Sequence, residues 1–338
     1  MTFPITSSID TLIRRASSIL RDAGIDTPEH DAKLLLAEAC GVELRDVDKA
    51  LVMGYDLVRL IPDEERETAS GDASRVMSVT SEFHTMVIRR ARREPLQYIV
   101  GHAPFRYLDL EVGPGVFIPR PETEVVVQKG LDWLSSRRAA RKETEAKACG
   151  FRVVDLCAGS GAIGLSIVTE TDDTEVWAVE LDDRTASWTQ RNAQAVTGAY
   201  GISANLGMEF DDGSAHSRYH LVRGDATAPF TLAELDGTVD LVVTNPPYVP
   251  ESDIPEQPEV RNYDPTLALY GGSLDGLKIP RLIIDRATTL LTSDGALVME
   301  HDITQGVSLV QYALSQGFHE ACTGTDWTGR PRYLFAQR

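Results

Sequence analysis

The chain predicts an α/β fold: a mostly parallel, seven-stranded sheet, preceded by a small α-helical bundle domain and a β-hairpin linker. Three observations predict it. Strand-like and helix-like runs alternate from Phe151 onward, a glycine-rich loop joins the first of these strands to its helix, and apolar residues recur at helical spacing near the N-terminus. A length of 338 residues suffices for two separate cores.

Each element follows from local pattern. Ile9, Leu12, Ile13, Ala16, Ile19 and Leu20 mark one face of a helix over residues 8–25. Thr27, Pro28 and Glu29 open a second helix as cap, first-position proline and first-turn acid, and Gly41 stops it after Cys40. A third helix is expected over 46–53 and another over 62–93, broken at Ser70-Gly71-Asp72. Residues 1–93 therefore read as a helical domain without a catalytic constellation of its own. Residues 94–118 set Pro95, Gly101, Pro104, Gly113, Pro114 and Gly115 among Tyr98, Ile99, Phe105 and Tyr107, the pattern of a β-hairpin linker.

Residues 119–338 form the expected catalytic domain. An amphipathic helix covers 125–134, and the charged stretch 137–147 reads as a solvated helix end or loop. Strands follow at 151–156, 175–181, 220–223, 240–244, 296–300, 318–323 and 332–336, with helices at 162–168, 184–196, 277–291 and 304–315. Residues 198–217, rich in Gly, Ser and acids, read as a surface insertion.

Composition narrows the partners. With 51 acidic against 33 basic residues and a net charge of -18, the chain is poorly suited to duplex DNA, whose binding needs a basic face. Arg89, Arg90, Arg92 and Arg93 form a local basic cluster, which a basic binding patch and a solvated helix end favoured by the helix dipole explain about equally, and it is given no site role. Apolar runs are too short to span a bilayer and Met1 to Ser8 lacks a signal peptide's pattern, so a cytoplasmic, membrane-free protein is expected, and a monomer. Cys40, Cys149, Cys157 and Cys322 are dispersed, without metal-ligand or disulfide spacing, and no metal is expected.

Chemistry concentrates in two segments. Asn245-Pro246-Pro247-Tyr248 ends the fourth strand. The Asn245 side-chain oxygen and the Pro246 carbonyl can both accept from a planar amino group, directing its delocalised lone pair at a methyl donor. Pro246 and Pro247 stiffen the turn, and Tyr248 can pack on the planar group. The bland alternative is that Asn-Pro-Pro merely terminates a strand. The second segment, Asp155-Leu156-Cys157-Ala158-Gly159-Ser160-Gly161, brings backbone and helix N-terminal amides close to a ligand. Glu180 is placed for ribose hydroxyls, and Asp225, followed by Ala226, for an adenine amino group. Gly159 to Gly164 also spells the dinucleotide fingerprint, with an acid about 20 residues further on. Asp155, suited to a cationic amino-acid moiety, and the tetrapeptide favour S-adenosylmethionine over NAD. Glu122 and Glu124 fit equally a helix's acidic first turn and a turn closing over the cofactor. His84, His102, His216 and His301 are expected to be surface or structural.

Glu94-Pro95-Leu96-Gln97-Tyr98-Ile99 with Gly101, Ile118-Pro119-Arg120-Pro121-Glu122-Thr123-Glu124 and Asn245 to Tyr248 closely resemble the PrmC/HemK family of glutamine methyltransferases. Leu267-Ala268-Leu269, Gly271-Gly272, Asp275-Gly276-Leu277 and Asp326 with Gly329-Arg330 add to the match, which covers nearly the whole chain. The resemblance implies methyl transfer from S-adenosylmethionine to the glutamine amide of the Gly-Gly-Gln motif of peptide chain release factors. It implies that Asn245 and Pro246 hold that amide with Tyr248 packed on it, and that Asp155 to Gly159, Glu180 and Asn245 line the cofactor site. It also gives the helical domain a role in docking the release factor. The chain departs from the family pattern at Ala158, at Ala226, where an aromatic often stands, at Glu300-His301-Asp302, and at Asp264. An adenine or guanine amino-group methyltransferase of nucleic acid would use the same tetrapeptide; a dehydrogenase or a non-catalytic binding module would not need it.

Overall fold

A computed structural model of the protein describes residues 8–62, 69–140, 150–208 and 217–338. It divides into two compact units, Met1–Gly101 with Gln257–Tyr263, and His102–Glu256 with Asp264–Arg338.

The first unit is helical. Its helices are Ile9–Asp22, Pro28–Cys40, Leu44–Met53, Leu57–Leu60, Ala69–Ala91 and Leu96–Val100, joined by the inserted helix Pro258–Tyr263. The apolar stripes read from the sequence meet in one core around Leu12, Leu20, Leu35, Leu36, Val79 and Phe83. Ser8 caps the first helix by accepting from the Thr11 amide, and Gly41 and Gly54 end the second and third in the left-handed region. Pro28 takes the first helical turn as expected, but Thr27 makes no side-chain cap; its hydroxyl donates to Asp31 at 2.7 Å. Residues 63–68 of the expected helix lie outside the described residues; Ser70-Gly71-Asp72 fall in the first turn of the helix Ala69–Ala91. Long helices absorb one glycine at about 1 kcal/mol when an apolar face is packed. The sequence also gave no sign of the short helix Leu96–Val100.

Within the arginine cluster Arg92 is exposed, but Arg89, Arg90 and Arg93 are paired rather than solvated. Arg90 is buried and pairs with Asp31 Oδ2 at 2.8 Å and Glu259 Oε1 at 2.7 Å, Arg93 takes Glu259 Oε2 at 2.7 Å, and Arg89 takes Glu94 at 2.6 Å. Acids distant in sequence supply the partners, which is why composition alone suggested exposure.

The second unit opens with the hairpin β1 (His102–Phe105) and β2 (Leu108–Glu111), then the helix Glu124–Ala140. The main sheet comprises β3 (Phe151–Leu156), β4 (Thr174–Glu180), β5 (Ala204–Met208), β6 (Tyr219–Arg223), β7 (Val239–Thr244), β8 (Leu291–Glu300), β9 (Glu320–Thr325) and β10 (Pro331–Gln337). Its order is β5-β6-β4-β3-β7-β8-β10-β9, eight strands rather than the expected seven. The extra strand is β5, parallel to β6 at the sheet edge and within the stretch read as a surface insertion; Ala204 and Leu206 pack against the core, while Asn205 and Gly207 interrupt the apolar pattern that marks a strand. The remainder of that stretch, and residues 141–149 with Cys149, lie outside the described residues. Only β10 runs antiparallel, between β8 and β9.

Central strands are buried on both faces, so they read as near-continuous apolar runs: Val153, Val154 and Leu156 in β3, Leu241 to Val243 in β7, and Leu297 to Met299 in β8. Two clusters cover the faces, one built on the helices Glu124–Ala140 and Ala162–Glu170, the other on Lys278–Leu290 and Gly306–Ser315. The register sets Leu156 opposite both Val179 and Thr244, and Thr244 opposite Met299. The ends of β3, β4, β6, β7 and β8 therefore share one edge of the sheet, where ligands gather in such folds.

Candidate active site

At the end of β3 the chain turns sharply: Cys157, Gly159 and Gly161 all have positive φ, at 66°, 61° and 87°. A Cβ on Gly159 would meet nothing within 4 Å, so the loop faces open space there. Its far side is pinned. The Thr189 hydroxyl donates to the Gly159 carbonyl at 2.6 Å, and Asn192 Nδ2 donates to the Ser160 carbonyl at 2.9 Å. Gly161 caps the helix Ala162–Glu170 without a side-chain bond, which leaves amides at its N-terminus for a ligand.

Asp155 lies beneath this loop. It is fully buried, its Oδ2 accepts from the Gly164 amide at 2.8 Å, and Oδ1 has no hydrogen-bond partner among the described residues. Burial pushes its carboxyl up to about 8, against the pull of the Gly164 amide. Gly164 is needed for this fit, because a Cβ there would come to 3.0 Å from the Asp155 carboxylate.

Glu180 ends β4, and its carboxylate braces the loop from the side. Oε2 accepts from the Gly159 amide at 2.9 Å, and Oε1 accepts from Leu181 and Asp182 at 2.8 and 3.0 Å. A carboxylate offers about four lone-pair sites, so three bonds leave one for a hydroxyl. Burial raises its pKa, opposed by these amides. Asp225, beyond β6, is exposed; its Oδ1 accepts from the amide and hydroxyl of Thr227. Ala226 is buried in the core cluster beneath. Leu156 and Ala158 are buried, and Cys157 is partly buried with its thiol pushed up by burial. A glycine loop open at Gly159, free helix amides, a carboxylate with a spare lone pair and an exposed Asp225 fit a nucleoside cofactor bearing ribose hydroxyls.

Across the same edge, β7 ends in the tetrapeptide. Asn245 Nδ2 donates to Thr123 Oγ1 at 3.2 Å, Thr123 donates to Glu300 Oε2 at 2.7 Å, and the Tyr248 hydroxyl donates to Glu300 Oε1 at 2.9 Å. Among the described residues no donor is bonded to Asn245 Oδ1 or to the Pro246 carbonyl. Both acceptors that the sequence singled out are thus available. Behind them the backbone is clamped: Val249 and Gly271 exchange bonds with a neighbouring segment, Val249 N with the Leu269 carbonyl at 2.8 Å and Gly271 N with the Val249 carbonyl at 3.0 Å. Gln305 Nε2 bridges the carbonyls of Tyr248 and Asp275 at 2.8 and 2.9 Å. A Cβ on Gly276 would overlap the Tyr248 carbonyl, and its φ is +69°. The glycines near 271–276 therefore brace the tetrapeptide.

The Ile118 to Glu124 segment enters through Thr123, in the short 3-10 turn Pro121–Thr123. Arg120 reaches the buried Asp264 at 2.6 Å, and Glu124 accepts the Arg106 amide at 3.1 Å. Thr123, Glu300 and Gln305 are neighbours of the tetrapeptide to which the sequence assigned no role. Glu300, at a strand's carboxyl end in line with the others, and Thr123, within the Ile118 to Glu124 segment, carried a signal. His301 is buried and structural, its imidazole pKa lowered by burial, and His102 pairs with Asp109; His216 lies outside the described residues. Among the described residues no cluster of His, Cys, Asp and Glu could hold a metal, and no helix is long and apolar enough to cross a membrane.

A parallel sheet in this order with one antiparallel strand, an open glycine loop and Asn-Pro-Pro-Tyr at the same edge define a methyltransferase of the Rossmann-like class. The chain is 58% identical over 328 residues to the release factor glutamine methyltransferase of Bifidobacterium longum, covering 97% of this chain and 99% of that protein. It is 36% identical over 328 residues to the protein so named in Streptomyces coelicolor, covering 96% of each. The chain belongs to the release factor glutamine methyltransferase family. Residues 11–101 match the model of the PrmC N-terminal domain. A further relative, the 4-amino-L-phenylalanine/4-methylamino-L-phenylalanine methyltransferase of Streptomyces pristinaespiralis, is 34% identical across 90% of this chain and 88% of its own.

Proposed function

We propose that the protein transfers a methyl group from S-adenosylmethionine to the side-chain amide nitrogen of the glutamine in the Gly-Gly-Gln motif of peptide chain release factors. The observation that carries this reading is the pair of unclaimed acceptors, Asn245 Oδ1 and the Pro246 carbonyl, at the sheet edge shared with the glycine loop.

S-adenosylmethionine would supply an electrophilic methyl on a sulfonium, the S–CH3 bond breaking as the N–CH3 bond forms and the neutral thioether S-adenosylhomocysteine leaving. Gly159 and Gly161 let it approach the backbone, Glu180 holds the ribose hydroxyls and Asp225 the adenine amino group. Asn245 and Pro246 each accept one N–H of the substrate amide, which tilts the nitrogen lone pair out of conjugation and toward the donor. The Tyr248 ring, with its hydroxyl tied to Glu300, packs on the amide plane. Positioning of this kind needs no nucleophile or metal from the protein, and water takes the proton that the alkylated amide sheds.

The helical domain, residues 1–93, docks the release factor, the hairpin segment 94–118 links it, and residues 119–338 catalyse. Since the substrate works in translation termination, the place of action is the cytoplasm. An arylamine poses the same lone-pair problem, so the test offers both kinds of amine. Labelled S-adenosylmethionine is incubated separately with a release factor, 4-aminophenylalanine, tRNA, rRNA and DNA. Label in the release factor alone is expected; label in nucleic acid or in the free amino acid instead would overturn the reading.

A further inference from the structure

Glu300 ends β8 with both oxygens committed to donors from different segments, Tyr248 to Oε1 and Thr123 to Oε2. It is buried, 2% exposed. Thr123 has one hydroxyl proton. Having given that proton to Glu300, it can face Asn245 only with a lone pair. A lone pair calls for the NH2 end of the amide, which is the end found 3.2 Å away. Proton counting along the chain Glu300, Thr123, Asn245 therefore turns Asn245 Oδ1 toward the substrate.

We propose that Glu300 is a positioning residue for methyl transfer, setting the polarity of the Asn245 amide through Thr123 and fixing the Tyr248 ring directly. The proposal rests on the reading that Asn245 and Pro246 grip the substrate amide. Its logic requires an acceptor-only carboxylate. A protonated Glu300 carries a donor of its own and can give it to Thr123, which then gives its proton to Asn245. The amide would flip, and its NH2 group would meet the substrate's N–H groups donor to donor. The grip is thus conditional on the charge of Glu300.

The groups facing that charge come from every neighbouring element. Arg332 from β10 lowers the Glu300 pKa, Glu122 from the turn before Thr123 raises it, and the Thr123 and Tyr248 hydroxyls lower it. Asp326 holds Arg332 at 3.5 Å. Burial is the largest influence and leaves the carboxyl above its ordinary range. The working, ionised form is present above the raised pKa and lost as pH falls through it.

The test compares Glu300→Gln, Thr123→Val, Thr123→Ser and Asn245→Ala in kcat, KM, cofactor affinity and pH profile. Glu300→Gln keeps the shape but brings an NH2 donor, and should lower kcat by about 10² to 10³, the loss expected for one misplaced hydrogen-bonding group, with cofactor affinity within about threefold. The acid limb of the wild-type kcat profile should vanish from whatever activity Glu300→Gln retains. Thr123→Val should lose kcat similarly, and Thr123→Ser should rescue it. The proposal is overturned by a Glu300→Gln enzyme that turns over within threefold of wild type or keeps the wild-type acid limb, or by a fully active Thr123→Val. Asn245→Ala separates the levels: if it is inactive while Glu300→Gln works, only the relay fails, and if both work, the grip itself fails.

Discussion

Replacing Asn245 by alanine removes one of two acceptors from the substrate amide and leaves everything behind it standing. Thr123 keeps its bond to Glu300, Tyr248 keeps its own, and the Val249 and Gly271 clamp is untouched. Asn245 is half-buried and gives up only a 3.2 Å bond to a neutral hydroxyl, so stability should fall by no more than about 1 kcal/mol. Catalysis should suffer more. An acceptor that meets an amide whose N–H groups grow more acidic in the transition state is comparable to an oxyanion-hole donor, whose removal costs about 2.7 to 4 kcal/mol. At about 1.36 kcal/mol per tenfold, kcat should drop about 10² to 10³-fold. Steady-state transfer of labelled methyl to a release factor measures kcat, and calorimetry measures S-adenosylmethionine affinity, expected within about threefold of wild type. Turnover within threefold of wild type would refute the proposed grip.

Gly276→Ala forces a Cβ onto the Tyr248 carbonyl at positive φ, and should lower both kcat and thermal stability; a variant matching wild type in both would show that this segment does not hold the tetrapeptide. Asp31→Ala leaves buried Arg90 with the Glu259 carboxylate and the Glu94 carbonyl but strips its Nε of a partner, and should cost about 3 kcal/mol in urea unfolding, with a loss under about 1 kcal/mol contradicting the burial argument. Burial pushes the Asp155 carboxyl from its ordinary 3.8 up to about 8 in the folded state, so the folded state holds a proton that the unfolded chain releases. Stability should therefore fall as pH rises between those values, by at most about 1.4 kcal/mol per unit. Asp155→Asn should flatten that dependence, and parallel curves for the two proteins would exclude the assignment.

The catalytic half was legible because its signals are local. Val153 to Leu156 and Leu241 to Val243 read as buried parallel strands from a few residues each, and the parallel arrangement then requires their ends to coincide. That alone brings Gly159, Glu180 and Asn245 to one edge. What stayed hidden depends on partners distant in the chain. Glu300 looks like any acid after a strand until Thr123 and Tyr248 arrive from 177 and 52 residues away. Arg90 looks like a helix-end cation until Asp31 and Glu259 enclose it. β5 was missed because an edge strand needs little apolar character on its outer side. For Asp155 the sequence position fixes the strand end but not the side chain's direction; burial under the loop and the bond from the Gly164 amide to Oδ2 become visible only in the fold.

The central claim is that the methyl lands on a glutamine side-chain amide. Tandem mass spectrometry of a release factor after reaction with S-adenosylmethionine tests it most directly. One methyl on the side-chain nitrogen of the Gly-Gly-Gln glutamine, formed about 10² to 10³-fold more slowly by the Asn245→Ala enzyme, is the predicted result. A methyl on any other residue, or a release factor left unmodified by an enzyme that binds S-adenosylmethionine, would contradict it.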